Sequence, residues 1–210
     1  MISKKFLLLS VSFIFIFLGT VNSNSIEPDI FVQSTVNRAS EALGNNFSKE
    51  EKIKKLKTIA KETVDIRGIG FYTLGQYRKT LSEDQKKQYA ILFEQYFLKS
   101  FASRLAEYSN PEIEVISKEQ LNEKYTIVSS KLVATDKRPE IKIDWRIYTK
   151  NPENPLIRDL IIEGLSLART QKEEFSSIIE SNDGNINALF DTLKKFIDWS
   201  IIDWKRENFK

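Results

Sequence analysis

The 210-residue sequence contains no cysteine and no histidine, and its only methionine is the first residue. Without cysteine the fold cannot rely on disulfides, and no thiol follows the N-terminal apolar run to carry a lipid. Without histidine the commonest general base and the commonest transition-metal ligand are missing. Ser-His-Asp and Cys-His catalysis and histidine-bearing zinc sites are therefore excluded. Neither sign of charge dominates: 32 basic residues stand against 29 acidic ones. Once Lys4 and Lys5 are set aside with the leader described below, the basic excess falls to one, which gives no electrostatic case for binding nucleic acid. Internal repeats, low-complexity tracts and an interdomain linker are also lacking, so the length fits one sizeable domain with an appended piece.

The one long apolar run, Phe6 to Leu18, is shorter than the roughly 20 residues a membrane span requires. Lys4 and Lys5 precede it, and Gly19, Thr20 and Val21-Asn22-Ser23 follow. This order of positive, apolar and small residues predicts a secretory signal peptide over residues 1–23, with an uncleaved anchor as the alternative. Residues 24–197 are then the folded domain, and 198–210 form an amphipathic extension carrying Trp199, Ile201, Ile202 and Trp204.

What is abundant is aromatic: 14 Phe and 7 Tyr. They concentrate in the stretch from Ser82 to Tyr108, which opens on the capping box Ser82-Glu83-Asp84-Gln85 and contains neither Gly nor Pro. Tyr89, Leu92, Phe93, Tyr96, Phe97, Phe101, Leu105 and Tyr108 recur every three or four residues, on one face of a long helix. Such a stripe can line a packed core or an apolar cavity. Before it, Glu27-Pro28-Asp29 and the Ser48/Glu51 capping box each start a helix. Asp65 to Thr80 predicts one or two short helices with Phe71, Tyr72, Leu74 and Tyr77 inward. Its Gly68 and Gly70 lack the third glycine and the preceding strand of a dinucleotide loop.

Beyond Ser109-Asn110-Pro111 the period changes to two. Ile113 and Val115 begin one strand, and Tyr125, Ile127, Ser129, Lys131 and Val133 alternate along a second. Ile141, Ile143, Trp145 and Ile147 alternate along a third, and Leu156 to Leu165 forms a fourth. Turn signals between them predict a four-stranded antiparallel meander with the aromatic helix as its cover. Two closing helices follow, centred on Phe175 and on Leu189. The expected class is α+β, a curved four-stranded sheet against several helices, shaped as a cone with an apolar pocket.

Two blocks carry a family resemblance. Asp65, Phe71, Leu74-Gly75-Gln76-Tyr77-Arg78 and Leu81-Ser82-Glu83-Asp84-Gln85, followed by Phe93 and Tyr108, resemble the MlaC family of periplasmic phospholipid carriers. So do Leu160-Ile161-Ile162-Glu163-Gly164-Leu165-Ser166-Leu167, Phe175-Ser176-Ser177-Ile178-Ile179 and the helix from Leu189 to Leu193. Gln76 stands where the family commonly has arginine. The resemblance implies an NTF2-like cone holding the acyl chains of a glycerophospholipid between sheet and helices, with the headgroup near solvent and neither a cofactor nor a catalytic step. It also implies a periplasmic shuttle between an inner-membrane ABC transporter complex with its MCE-domain protein and an outer-membrane lipoprotein-porin complex.

On this reading Tyr72, Leu74, Tyr77, Phe93, Phe97 and Phe101 face Val115, Ile127, Val133, Ile143, Trp145, Ile147 and Ile162, with lipid between them. Burying acyl chain gains about 0.8 kcal/mol per CH₂. Two chains therefore contribute on the order of 20 kcal/mol before ordering losses, without a charged clamp. Two other functions fit such a shape: a pocket enzyme using the carboxylates of Asp65, Asp144 or Glu163, or a structural adaptor with a filled interior.

Overall fold

The computed structural model describes residues 25–108, 111–136 and 138–199. The expected signal peptide and the extension from residue 200 onward lie outside the described residues. The chain forms α1 (Pro28–Ala42), α2 (Lys49–Thr63), α3 (Ile66–Thr73), a 3-10 turn (Gly75–Lys79) and α4 (Glu83–Leu105). A meander follows, β1 (Ile113–Asn122), β2 (Tyr125–Leu132), β3 (Ile141–Tyr148), β4 (Leu156–Ile162) and β5 (Leu165–Ser166), then α5 (Leu167–Glu180) and α6 (Ile186–Asp198). The sheet runs in order β1-β2-β3-β4-β5 with every named pairing antiparallel.

Helix starts follow the sequence closely. Ser48 and Ser82 each accept a hydrogen bond from the backbone three residues on, while Glu51 and Gln85 reach back to the cap, closing both capping boxes. The fourth predicted strand, in contrast, is cut in two. Glu163 (φ 49°) and Gly164 (φ 82°) both adopt left-handed backbone, the requirement of a two-residue type I′ hairpin, so Leu165 turns back to pair with Ile162. The sheet therefore has five strands rather than four.

The register divides the sheet into two faces. Thr126, Val128, Ser130 and Leu132 pair with Ile147, Trp145, Ile143 and Ile141, and this inner face is largely buried. Val115 opposite Ser130 and Ile162 opposite Ile143 extend it. Polar groups on this face are satisfied: Trp145 Nε1 donates to Ser130 Oγ (2.8 Å), which donates to the Ile143 carbonyl (3.1 Å).

The covering helices differ from the expected arrangement. The backbone of α1 closely approaches β1 and β2, and that of α5 approaches β4, whereas the closest packing of α4 is on α2, α3 and α6. Tyr89, Phe93 and Leu98 of α4 nevertheless share one core with Val128, Trp145 and Ile147. Thus α4 and the sheet share one core without being close-packed backbone to backbone. Tyr108 falls beyond the end of α4 and is exposed.

Where α1 meets β1, Lys118 reaches Asp29 of α1 (Nζ to Oδ1 2.7 Å) and Glu27. The Lys118 hydrogen bond holds the Asp29 carboxyl below its ordinary value, and Asp29, then Glu27, raise the Lys118 ammonium above its own. Asp29 thus contributes stability above its unfolded pKa of about 3.9, lost as pH falls through the lower folded value; Lys118 contributes below about 10.4, lost as pH rises through the higher one. We expect the difference in unfolding midpoint between wild type and Lys118→Met to be largest near neutrality and to shrink at both extremes. A difference independent of pH would show that the α1–β1 ion pair is not coupled to folding.

Candidate functional site

Aromatic packing along α4 sets the interior. Phe93 is 2% exposed and lies within ring contact of Tyr89 (5.8 Å), Tyr96 (6.3 Å) and Phe97 (6.1 Å) on its own helix and of Phe175 on α5 (6.2 Å, edge-on). Tyr89 stacks on Phe190 of α6 at 6.2 Å, and its hydroxyl pairs with Thr73 of α3 (2.8 Å). Burial pushes the Tyr89 phenol well above its usual range, so it stays neutral. The stripe then changes character. Phe97 and Phe101 stack at 5.5 Å with their planes 9° apart, yet both are only half-buried against the core.

Helix α3 fits against this stripe through glycine. A Cβ on Gly70 would lie 2.7 Å from Cδ1 of Phe93, and one on Gly68 would lie 2.6 Å from the guanidinium carbon of Arg158. Glycines at 68 and 70, which faintly suggest a nucleotide loop in the sequence, are thus packing glycines on a helix. Gly75 turns with φ +54°, and a Cβ there would meet Lys172 at 3.0 Å.

The expected lipid-facing residues separate into groups. Leu74, Phe93, Ile143, Trp145 and Ile147 are buried in one core, with Tyr77, Phe97, Phe101 and Val115 half-buried against it. Ile162 shares the inner face at the end of β4. Ile127 does not: it pairs with Arg146, whose side chain points away from Trp145 and Ile147. Val133, one residue past the end of β2, has the parity of Ile127. The placement of both opposite the helices is corrected by the register, because a shift of one residue exchanges the faces of a strand. Tyr72 is exposed, at 44%, and lines surface cavities instead.

Tyr89, Phe93 and Leu98 of α4 and Val128, Trp145 and Ile147 of the inner sheet face belong to one core. Two hollows among the described residues lie away from that core face. A cleft of ≈ 320 Å³ is bounded by α3, the β1–β2 end, β3, β4 and the start of α5, with Ile69, Tyr72, Tyr125, Arg146, Arg158 and Asp159 in its walls. A larger hollow of ≈ 610 Å³ is a shallow, charged depression along α5 that includes Arg169, Lys172 and Glu173.

Arg146 and Arg158 are missing from the expected site. Arg146 is visible only as a polar residue of a period-two strand. Arg158 enters the cleft beside Asp159 because β4 is irregular here, with Asp159 and Ile157 opposite Arg146 and Ile147. Asp159 is 4% exposed; its carboxylate accepts from the Ala168 amide (3.0 Å) and the Ser166 hydroxyl (2.6 Å), fixing the start of α5.

The three carboxylates considered for catalysis are apart and engaged. Asp65 caps α3 through the Gly68 amide and pairs with Arg158 (2.6 Å). Asp144 accepts from Ser129 and pairs with Lys142. Glu163 sits in the β4–β5 turn and accepts from the Lys142 amide. Among the described residues no group of acidic side chains is arranged to hold a metal, and no helix is long and apolar enough to cross a membrane.

A family model described as MlaC protein matches residues 33–195. The chain belongs to the MlaC family. Among solved structures it is similar to the phospholipid-binding protein from Ralstonia solanacearum, determined in complex with a phospholipid. The TM-score is 0.68 at 17% identity, covering 82% of this chain and 97% of the other. That likeness shows a shared α+β fold.

The α3–α4 contact makes a direct prediction. Gly70→Val should destabilise the protein by about 1–3 kcal/mol, because the added carbons collide with the buried Phe93 ring and force it or α3 to shift. Urea unfolding measures it; an unchanged midpoint would mean that α3 can move away from Phe93 at no cost.

Proposed function

We propose that this protein is a phospholipid carrier that takes acyl chains into the seam between the inner sheet face and α4. It carries them through an aqueous space from one membrane to another. Family membership over residues 33–195 is the observation that carries this reading. The Ralstonia solanacearum relative of the same fold, solved with a phospholipid, adds support.

The geometry agrees with a seam that opens. Two acyl chains need more room than a 320 Å³ cleft, which is at the small end of ligand pockets of about 300–1,000 Å³. Chains must therefore displace side chains. Where close backbone contacts join two layers, separation breaks the packing of whole elements. Between α4 and the sheet the shared core is made of side chains, rings among them, which can shift. The half-buried pair Phe97 and Phe101 and half-buried Val115 lie where the seam is least sealed. Phe93, Ile143, Trp145, Ile147 and Ile162 continue it inward and along the sheet. Acyl chain replaces side chain there, so apolar burial is retained while the ligand gains about 0.8 kcal/mol per CH₂.

In this reading the protein has no chemical step and is a carrier rather than an enzyme. Export by the N-terminal leader would place it in the periplasm. Its partners there would be an inner-membrane ABC transporter complex with an MCE-domain protein and an outer-membrane lipoprotein-porin complex.

Native mass spectrometry of the purified mature protein, incubated with phospholipid vesicles, tests the reading. Wild type should carry diacyl phospholipid, and Phe97→Asp with Phe101→Asp should reduce the loaded fraction by about tenfold or more, since each carboxylate would face apolar chain. Wild-type protein that stays empty through repeated membrane exposure contradicts it.

A further inference from the structure

We propose that the cleft between α3, the sheet and the start of α5 is a binding site for a phosphate ester, with Arg146 and Arg158 as its anion ligands. Arg146 lies on the face of the sheet opposite Trp145 and Ile147, so this site is separate from the acyl seam and does not depend on it.

Arg146 has one loose ion pair, to Asp159. Its Nη1 is 3.8 Å from Asp159 Oδ2, beyond hydrogen-bonding distance, and its side chain is 40% exposed. Its guanidinium makes no hydrogen bond among the described residues. Asp159 is already committed, one oxygen to the Ala168 amide and the other to the Ser166 hydroxyl. The Arg146 guanidinium therefore offers N–H donors to the cleft it lines.

Arg158 supplies the second guanidinium. Its Nη2 donates to Asp65 at 2.6 Å, its plane lies over the Tyr148 ring at 4.7 Å, and its Nε is buried without a hydrogen-bond partner. Asp65 and Tyr148 fix the group in place, and Gly68 leaves it room. The Arg158 side chain is 27% exposed, so part of the guanidinium faces the cleft while Nε is enclosed.

Two guanidiniums at one cleft suit a tetrahedral oxyanion, which accepts bidentate hydrogen bonds from planar forks. The ≈ 320 Å³ space exceeds what bare phosphate needs, and Ile69, Tyr72 and Tyr125 offer apolar wall to an organic substituent. A phosphate monoester or diester meets both conditions. It could come from a free small molecule or from a phospholipid headgroup presented at a bilayer, and the chemistry of recognition is the same.

Calorimetric titration of the full chain with glycerol 3-phosphate is the first arm, and co-sedimentation with phosphatidylcholine vesicles, with and without phosphatidic acid, is the second. Binding in at least one arm should weaken by about tenfold or more in Arg146→Gln, with partial recovery in Arg146→Lys, which keeps the charge but loses the fork. The Arg158 Nε–H resonance of wild type should shift on saturation in whichever arm is positive. Response to glycerol 3-phosphate identifies a free ester; response only to phosphatidic acid identifies a headgroup. Equal binding by wild type and Arg146→Gln in both arms, or no shift of the Arg158 resonance, overturns the site. Because neither arm requires acyl chains in the interior, the proposal can fail while the carrier reading stands, and the reverse.

Discussion

Ring packing around Phe93 is the constraint on which the rest of the structure depends. That one side chain touches rings from α4 and α5, and its position requires glycine at residue 70 of α3. Through Tyr89 the same cluster reaches Phe190 of α6 and the Thr73 hydroxyl. Four helices are thereby joined by side chains whose attraction is dispersion and apolar burial, with few directional bonds to break. Such a joint is strong in total but soft in detail, since rings can slide and rotate where a backbone ladder cannot.

Softness is distributed unevenly. At the N-terminal half of α4, Tyr89 and Phe93 are fully enclosed, and the Thr73 hydrogen bond adds direction. Further along, Phe97 and Phe101 stack on each other while remaining half-open. Lys99, on the same stretch, donates to the Phe196 and Ile197 carbonyls at 2.9 and 2.7 Å and so ties the end of α6 to α4. Burial lowers its pKa, but the carbonyls at the helix C-terminus favour the positive charge it keeps. The arrangement proposed for lipid uptake uses this gradient: a fixed anchor at one end of the helix and a seam able to part at the other.

Much of the fold was legible in the sequence because its signals are local. Capping boxes at Ser48 and Ser82 and the period-two run Ile141 to Tyr148 each depend on neighbours in the chain, and each appears where expected. The family, too, is written in short blocks spread along the chain. Less legible were features that depend on register. Ile127 is an apolar residue in a half-buried strand and Val133 lies just past its end, and only the pairing with β3 reveals that Val128, not Ile127, lies beside Trp145. The Glu163-Gly164 turn was hidden in an apolar run and became visible through its left-handed backbone. Arg146 and Arg158 belong to different strands, and an irregularity in β4 is what puts both in one cleft.

The central claim is that acyl chains lodge against the inner face of the sheet, and Trp145 is the reporter already in place there. With Trp199 and Trp204 replaced by phenylalanine, Trp145 is the lone indole, buried beside Val128 and bonded to Ser130. Loading that variant with phospholipid brominated along its acyl chains, and comparing its fluorescence with the unbrominated lipid, measures contact directly. The proposed seam predicts strong quenching of Trp145 on loading. Full lipid occupancy with Trp145 emission unchanged would contradict it.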